Sequence, residues 1–254
     1  MLKSGPISPS PICMLNEYCA AITLTPIAHI TSCYPDRFGI PRQAGLVVSA
    51  YADIVFPATE DNKLALRNIQ DFSHLWVIFL FHKQKYDRAR PLIRPPRLGG
   101  NKGVGVYASR SPNRPNPIGL SAVELVDVTY KKNKLLLHVM GGDFLDRTPV
   151  LDIKPYVPYA DAIATARSAW ATPQAALLPV RWSAVATATL IDAVKPEQLK
   201  ALIEETLAQD PRPGYERNKD GKPYQQWNMQ VREYSVFWKV EDGIAEVTTL
   251  ELNH

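Results

Sequence analysis

The stretch between Arg88 and Val123 limits the possible folds of this chain most strongly, because it holds six prolines and no acidic residue. Proline removes a backbone donor and clashes with the preceding helical turn, so long helices are excluded there. Short strands at 104–108 and 120–128 are predicted instead. They frame a polar loop between Ser109 and Gly119, and this loop is the first candidate for a functional segment.

Strand-like patterns lie on both sides of this stretch and predict a mainly β protein. Apolar or alternating segments occur at 20–32, 46–56, 75–81, 134–140 and 145–158. Their length and their content of β-branched and aromatic residues favour strands, and one short helix is expected within 60–72. The Gly-rich segment 99–105 leads into a strand rather than a helix, so the sequence does not indicate a P-loop or a Rossmann nucleotide site.

The composition changes between Tyr159 and Pro179, where Ala, Thr, Ser and Pro dominate, and this change predicts a linker. The elements predicted beyond it are a strand at 182–191, a helix at 195–209 and two strands at 230–240 and 243–252. Pro196 suits the first turn of the helix, and the last two strands are expected to join in a hairpin. The C-terminal part is therefore predicted to be a small β-α-β-β domain that packs separately from the rest.

The composition also argues against several classes of protein. The three cysteines lie near the N-terminus without a Cys-x-x-Cys pair, which fits a reducing cytoplasm better than a disulfide framework. The five histidines lack the spacing of a metal site, so no metal is expected. No apolar run approaches the roughly 20 residues that a membrane-spanning helix needs. Residues 1–19 are interpreted as a loose tail without the apolar region of a secretory signal.

Two interpretations of the basic stretch are open. A formal net charge of +4 permits a polyanionic partner without requiring one, and the arginines could simply pair with acids elsewhere. A stiff, Pro-rich loop loses little entropy on binding, which favours a phosphate-binding surface. The candidate RNA contacts on that hypothesis are Arg94, Arg97, Lys102 and Arg114, together with Arg212 and Tyr215 in the turn at 210–215. The alternative for that turn is structural, with its prolines ending the helix and Tyr215 packing beneath it.

Several long motifs resemble the TsaA-like family, the TrmO tRNA methyltransferases. The matching segments are RPPRLGGN at 94–101, RSPNRPNPIG at 110–119, TPVLDIKPY at 148–156, PRQAGL at 41–46, FSHLW at 72–76 and AQDPRP at 208–213. They occur in the order found in the family, and the resemblance extends from about Thr25 to the end of the chain. The last segment is similar to the C-terminal domain of the bacterial members.

The resemblance implies a single-sheeted, non-Rossmann β-barrel that binds S-adenosyl-L-methionine and forms a homodimer in the cytoplasm. It implies a tail at 1–19, the barrel at 20–160, a linker at 161–180 and a small α+β domain at 181–254 that adds tRNA contacts. The implied substrate is threonylcarbamoyl-adenosine, which lies just 3′ of the anticodon in threonine tRNA. The implied reaction transfers a methyl group from the cofactor to the exocyclic nitrogen of this nucleoside.

The resemblance also implies a set of cofactor contacts. These are Pro41, Arg42, Gln43, His82, Lys83, Arg110 and Leu120, with the turn formed by Asp146, Arg147, Thr148 and Pro149. The family usually has glycine at the position of Arg147, which indicates a backbone with positive φ or a close approach to the ligand. Glutamine commonly follows the histidine in the family, whereas Lys83 follows His82 here.

A general base would help methyl transfer to this nitrogen, and Asp152 and Tyr156 are the candidates. Asp152 could equally hold the loop at 154–156 without a catalytic role. Two rival functions remain open. The first is a non-catalytic RNA-binding β-barrel, which Arg147 would support, and the second is a methyltransferase that acts on another RNA or on a small molecule.

Overall fold

A computed structural model describes residues 22–84, 90–95, 98, 102–171, 176–214 and 225–253 of the chain. The N-terminal part is a closed antiparallel barrel of six strands in the order β1-β2-β7-β6-β3-β8. The strands of this part are β1 (Ala28–Ser32), β2 (Tyr51–Pro57), β3 (His74–Leu80), β4 (Leu92–Ile93), β5 (Val104–Gly105), β6 (Ile118–Lys131), β7 (Lys134–Met140) and β8 (Pro149–Pro155). The short strands β4 and β5 pair with each other outside the barrel. The mainly β, single-sheeted barrel that the sequence predicted is therefore confirmed.

Strand β8 closes the barrel because it pairs with both β1 and β3. The inward positions of β3 alternate along the strand, with Leu75, Val77 and Phe79 buried in the barrel core. A side chain at Gly119 would collide with the Phe79 ring, so this position on β6 needs glycine. This close approach fixes the end of the Ser109–Gly119 loop against β3.

The helix predicted within 60–72 is present as α1 (Glu60–Ala65), followed by a 3₁₀ turn at Ile69–Asp71. The Thr59 side chain caps α1 by accepting from the Asn62 amide. Other predicted bounds need correction. Among the described residues of 20–32, β1 is the strand that is present. The segment 46–56 becomes extended at Tyr51, and 104–108 is a strand for two residues before a 3₁₀ turn. The predicted tail at 1–19 lies outside the described residues.

The C-terminal part has a four-stranded sheet in the order β10-β11-β12-β9, with β9 parallel to β12. Its elements, after the short helix α2 (Pro158–Asp161), are β9 (Val180–Trp182), α3 (Ala184–Ile191), α4 (Pro196–Ala208), β10 (Trp227–Val231), β11 (Tyr234–Glu241) and β12 (Ile244–Leu252). This domain is α+β as predicted. Among its described residues it has one helix more than the β-α-β-β pattern, α3, and one strand more. The extra strand arises because β10 and β11 form a hairpin that turns at Arg232 with φ 55°, within the segment predicted as one strand at 230–240.

The prediction of a strand at 182–191 is wrong, because most of this segment is helix α3. Its β-branched residues suggested a strand. However, Ser183 caps the helix by accepting from the Ala186 amide at 3.0 Å. Ala186 and Leu190 are buried four residues apart, which is the spacing of one helical face.

The loop between β1 and β2, residues 33–50, packs into the core of the C-terminal domain. Cys33, Tyr34, Val47 and Ala50 are buried there among residues of α3, α4 and the four-stranded sheet. The cores of the barrel and of the C-terminal part are separate, so the predicted separate packing needs one correction, which concerns the segment from Trp182 onward. Its hydrophobic core is completed by a loop that comes from the barrel.

Candidate functional site

Three segments distant in sequence meet at one end of the barrel: the β1–β2 loop, the loop before β6 and the turn before β8. The first contact joins Gln43 and Arg110, which are 67 residues apart, through a hydrogen bond of 2.5 Å from the Arg110 guanidinium to the Gln43 side-chain oxygen. The Gly45 amide donates to the Gly141 carbonyl at 2.8 Å and ties the same loop to the end of β7. Two residues predicted as cofactor contacts are thereby brought together.

The Ser109–Gly119 loop is stiffened by its own side chains. The Arg114 guanidinium donates to the Ser109 carbonyl at 2.8 Å and to the Val106 carbonyl at 3.3 Å. It also lies 5.8 Å from the centre of the Tyr107 ring. The Ser109 hydroxyl donates to the Val106 carbonyl at 2.7 Å. Arg114 was predicted as an RNA contact. Part of its guanidinium instead donates hydrogen bonds within the loop that carries Arg110.

The turn Asp146–Pro149 is held against β1. The Asp146 carboxylate accepts from the Ser32 amide at 3.0 Å, and the Arg147 amide donates to the Ile30 carbonyl at 2.8 Å. Arg147 has φ 62°, so the backbone takes the left-handed conformation that the family's glycine indicates. Its side chain is 89% exposed, and its guanidinium lies 3.6 Å from the carboxylate of Asp146 in the same turn. The substitution therefore keeps the shape of the turn, at the cost of a strained backbone.

His82 follows β3 and reaches this turn. The Thr148 hydroxyl donates to the Leu145 carbonyl at 2.7 Å, so its oxygen can accept from His82 Nδ1, which lies 3.5 Å away. The second ring nitrogen, Nε2, is buried and has no hydrogen-bond partner among the residues that the structure describes. Burial, reinforced by the positive charge of Lys83, lowers the pKa of His82. A neutral imidazole protonated on Nδ1 therefore presents Nε2 as an acceptor.

Asp143 belongs to the site, although the sequence analysis did not identify it. Its carboxylate accepts from the Ser121 hydroxyl at 2.6 Å. Burial raises the pKa of the Asp143 carboxyl, while the hydrogen bonds from Ser121 and the Ala44 amide and the charge of Arg110 act in the opposite direction. An acid directly after Gly141 and Gly142 at a strand end was the signal that could have revealed it.

The proposed bases do not join this group of residues. Asp152 and Tyr156 follow Thr148 by four and eight residues, on and just after β8. At roughly 3.3 Å per residue these separations are at most about 13 Å and 26 Å. Asp152 pairs with Lys154 at 3.0 Å. The Tyr156 ring packs beside that of Trp76, with 5.5 Å between the ring centroids. The contact with Lys154 agrees with the alternative in which Asp152 holds the segment at 154–156.

Arg212 was predicted to face RNA from an exposed turn, and that prediction is wrong. Arg212 is only 6% exposed, and its guanidinium forms a two-point ion pair with the Asp210 carboxylate at 2.8 and 3.1 Å. A charged group can be buried in this way only when an opposite charge and hydrogen bonds compensate it. Arg42 donates to the carbonyls of Asp210 and Arg212 at 3.5 and 3.4 Å, so its side chain points toward this turn.

The remaining predicted residues are dispersed. Arg94 and Lys102 are exposed beside the short β4–β5 pair, and Leu120 is 55% exposed on β6. Arg97 and Tyr215 lie outside the described residues. Within the described ranges, no three His, Cys, Asp or Glu side chains are grouped as metal ligands would be. Among the described residues, no helix is long and apolar enough to cross a membrane.

Comparison with known proteins identifies the family whose two domains match this chain. The tRNA-methyltransferase O N-terminal domain matches residues 29–162, and the TrmO C-terminal domain matches residues 175–253. The tRNA (adenine(37)-N6)-methyltransferase of Escherichia coli is 42% identical over 228 residues, which cover 89% of this chain and 96% of that protein. A Pseudomonas aeruginosa protein with the provisional name of an S-adenosylmethionine-dependent methyltransferase, RcsF, is 41% identical over 82% of this chain and 90% of its own length.

A solved structure gives the same result for the fold. The crystal structure of TrmO from Pseudomonas aeruginosa has a TM-score of 0.71 and 33% sequence identity to this chain, and the match covers 91% of this chain and 99% of that one. Both domains are matched in order and nearly over their full length. The chain therefore belongs to the tRNA-methyltransferase O family.

Proposed function

We propose that this protein transfers a methyl group from S-adenosyl-L-methionine to the exocyclic N6 nitrogen of adenine 37 in tRNA, just 3′ of the anticodon. We further propose that the substrate is the threonylcarbamoyl form of this adenosine in threonine tRNA. The observation that carries the proposal is the meeting of Gln43–Arg110 with the His82–Thr148 contact at one end of the barrel. The names of the similar proteins from Escherichia coli and Pseudomonas aeruginosa support it.

The residues at this end of the barrel suit S-adenosyl-L-methionine. The buried Nε2 of His82 lacks a partner among the described residues and can accept a hydrogen bond from an amino group. Gln43 and Arg110 offer polar groups that suit the hydroxyl and carboxylate groups of such a ligand, and the exposed Leu120 offers apolar contact. Pro41 and the turn Asp146–Pro149 complete the predicted set. When bound, the cofactor supplies an activated methyl group on a sulfonium.

The protein's own contribution to the reaction is mainly positioning. Methyl transfer needs the nitrogen, the methyl carbon and the sulfur in line, and a rigid site supplies much of the rate by holding them so. The internal hydrogen bonds of Arg114 keep the Arg110 loop in one conformation. A neutral His82 avoids placing a second positive charge beside a sulfonium, which is favourable for binding a cation.

The identity of a base remains a proposal. Asp152 and Tyr156 are the candidates from sequence, and their positions on and just after β8 make a direct role for Tyr156 within one protomer difficult. Asp152→Asn and Tyr156→Phe each test this. A base should lower kcat and move the pH profile, whereas a structural residue should lower the melting temperature without moving that profile.

We also propose the domain division at 20–160, 161–180 and 181–254, a homodimer and a cytoplasmic location, where tRNA is modified. The outward-facing apolar residues Ile118 and Leu120 on β6 are 38% and 55% exposed, and a second copy could cover them. Arg94 and Lys102 are candidates for the tRNA surface because they are exposed near Arg110. Light scattering coupled to size exclusion tests the dimer.

Mass spectrometry of nucleosides tests the reaction directly. The purified protein is incubated with labelled S-adenosyl-L-methionine and with threonine tRNA that either carries or lacks the threonylcarbamoyl group. The expected product is an N6-methylated threonylcarbamoyl-adenosine from the modified tRNA alone. Binding of tRNA without methylation would instead favour the non-catalytic alternative. The backbone at Arg147 keeps the family's conformation, so this residue does not favour that alternative.

A further inference from the structure

The β1–β2 loop is bound along its length by the C-terminal domain. The Tyr34 hydroxyl shares a buried hydrogen bond of 3.0 Å with the Thr206 hydroxyl on α4. The Glu205 carboxylate accepts from the Ser49 amide at 2.9 Å, at the far end of the loop. These contacts join the two ends of the loop to one helix.

The middle of the loop is held in the same way. Gln209 donates to the Leu46 carbonyl at 3.1 Å. The Phe38 ring stacks on Trp227 with 6.0 Å between the centroids. Gly39 has φ 101° and lies so close to the neighbouring sheet that a side chain there would approach the Met229 sulfur to 3.2 Å. The C-terminal domain therefore contacts this loop before, within and after its cofactor motif.

Adjacent side chains of the cofactor motif contact different parts of the molecule. Arg42 donates to the carbonyls of the Asp210–Arg212 turn, whereas Gln43 accepts from Arg110 on the barrel. The loop is thus clamped between the two domains at the point where the cofactor motif lies. If the contacts between the loop and the C-terminal domain are removed, Gln43 is no longer held beside Arg110.

We propose that α4 and the turn after it act as positioning elements that hold the β1–β2 loop in its cofactor-binding conformation. The inference rests on the proposed function, because it takes Gln43 and its neighbours as part of the cofactor site. The apparent affinity for a ligand equals the intrinsic affinity multiplied by the fraction of molecules whose site is in the binding-competent conformation. Affinity for S-adenosyl-L-methionine therefore depends on residues that are remote from the cofactor. Arg42 is a positioning residue in this arrangement.

The test uses adjacent residues of α4 with different partners. Glu205 accepts from the loop, whereas Glu204 accepts from Trp182 Nε1 at 2.8 Å within the C-terminal domain. Both are half-buried, so Glu204→Ala is a matched control for Glu205→Ala. Adding Gln209→Ala to Glu205→Ala removes two of the polar contacts to the loop, those at Ser49 and Leu46, without altering any proposed cofactor contact.

Calorimetry with S-adenosylhomocysteine on the full-length protein measures the effect. Each lost hydrogen bond shifts a conformational equilibrium by about twofold to tenfold. We expect Glu205→Ala with Gln209→Ala to raise the Kd by about threefold to tenfold, Glu205→Gln to stay near the wild-type value, and Glu204→Ala to change the Kd by less than about twofold. If the double variant does not fold, Glu205→Ala alone is compared with Glu204→Ala.

Hydrogen exchange separates this inference from the proposed function. The Gly45 and Ser49 amides should exchange faster in the double variant than in Glu204→Ala, whether or not a cofactor binds. An unchanged Kd, unchanged exchange of these amides, or an equal loss of affinity in the control would overturn the inference. A wild-type protein that binds no S-adenosylhomocysteine would instead refute the proposed function, while the exchange data would still decide whether α4 holds the loop.

Discussion

Arg212→Ala distinguishes a structural turn from an RNA-reading one. The substitution removes the guanidinium that pairs with Asp210, whose side chain is only 12% exposed. Removing one partner of a buried ion pair typically costs about 3–5 kcal/mol, because the other charge remains buried. We expect the lower end, about 3 kcal/mol, because the Asp210 side chain is 12% exposed and keeps some contact with water.

That loss corresponds to a drop in melting temperature of about 6–12 °C, at roughly 2–4 °C per kcal/mol for a chain of this size. Differential scanning calorimetry measures it, and methylation kinetics at a temperature where the variant is folded complete the assay. The KM for tRNA should then change by less than about twofold, because a guanidinium that is 6% exposed has little surface for RNA.

Two controls accompany this measurement. Arg94→Ala removes an exposed arginine and should leave the melting temperature within about 1 °C. Replacing both partners, as Asp210→Asn with Arg212→Met, should cost less than Arg212→Ala, because no buried charge is left unpaired. A stable Arg212→Ala variant with a raised KM for tRNA would refute this reasoning and restore the RNA-reading turn.

Four further results are expected. Arg147→Gly should raise the melting temperature by about 2–4 °C, since it relieves a φ of 62° that costs an ordinary residue about 1 kcal/mol, whereas Arg147→Ala should not. The pKa of His82 is lowered from its ordinary 6.5, so the unfolded chain binds its proton more readily; the melting temperature should fall as the pH drops through 6.5, and His82→Gln should flatten that part of the profile. Arg94→Ala with Lys102→Ala should weaken tRNA binding and reduce its salt slope by about 1–2 without changing the Kd for S-adenosylhomocysteine; an unchanged slope would remove both residues from the RNA surface. Truncation after Pro179 should destabilise the barrel domain and lower its affinity for S-adenosylhomocysteine, because it uncovers the β1–β2 loop; a truncated protein with wild-type affinity would contradict this.

The barrel strands could be predicted from the sequence where the local hydrophobic pattern matches the burial of those residues in the fold. Strand β7 has the bounds that were predicted, because apolar residues fill five of its seven positions and it is flanked by Asn133 and Gly141. The Arg147 position was predicted to need a positive φ, and it has one. Helix α3 was missed because its β-branched residues favour a strand locally, whereas the Ser183 cap and the burial of Leu190 are decided by the neighbouring sheet.

The burial of Arg212 could not be predicted in the same way. In sequence, a Pro-rich turn that carries an arginine looks exposed, because most such turns are. Asp210 has a φ of 47°, and its carboxylate pairs with Arg212 two residues later, which the local sequence does not indicate. Two residues in one short turn thus neutralise each other, and the turn presents backbone carbonyls rather than a side chain.

The β1–β2 loop illustrates why the domain interface was not predicted. Its apolar residues follow neither a helical nor a strand period, so nothing in the local sequence indicates that Tyr34 and Val47 are fully buried. The residues of α4 that bond to this loop are more than 150 positions away in sequence. The separations are 172 for Tyr34–Thr206 and 156 for Ser49–Glu205. The buried residues of this loop pack against another domain, so the loop depends on that domain for its conformation. For this reason a boundary drawn by composition at 161–180 separates the two hydrophobic cores but assigns the β1–β2 loop to the barrel, although this loop packs in the C-terminal core.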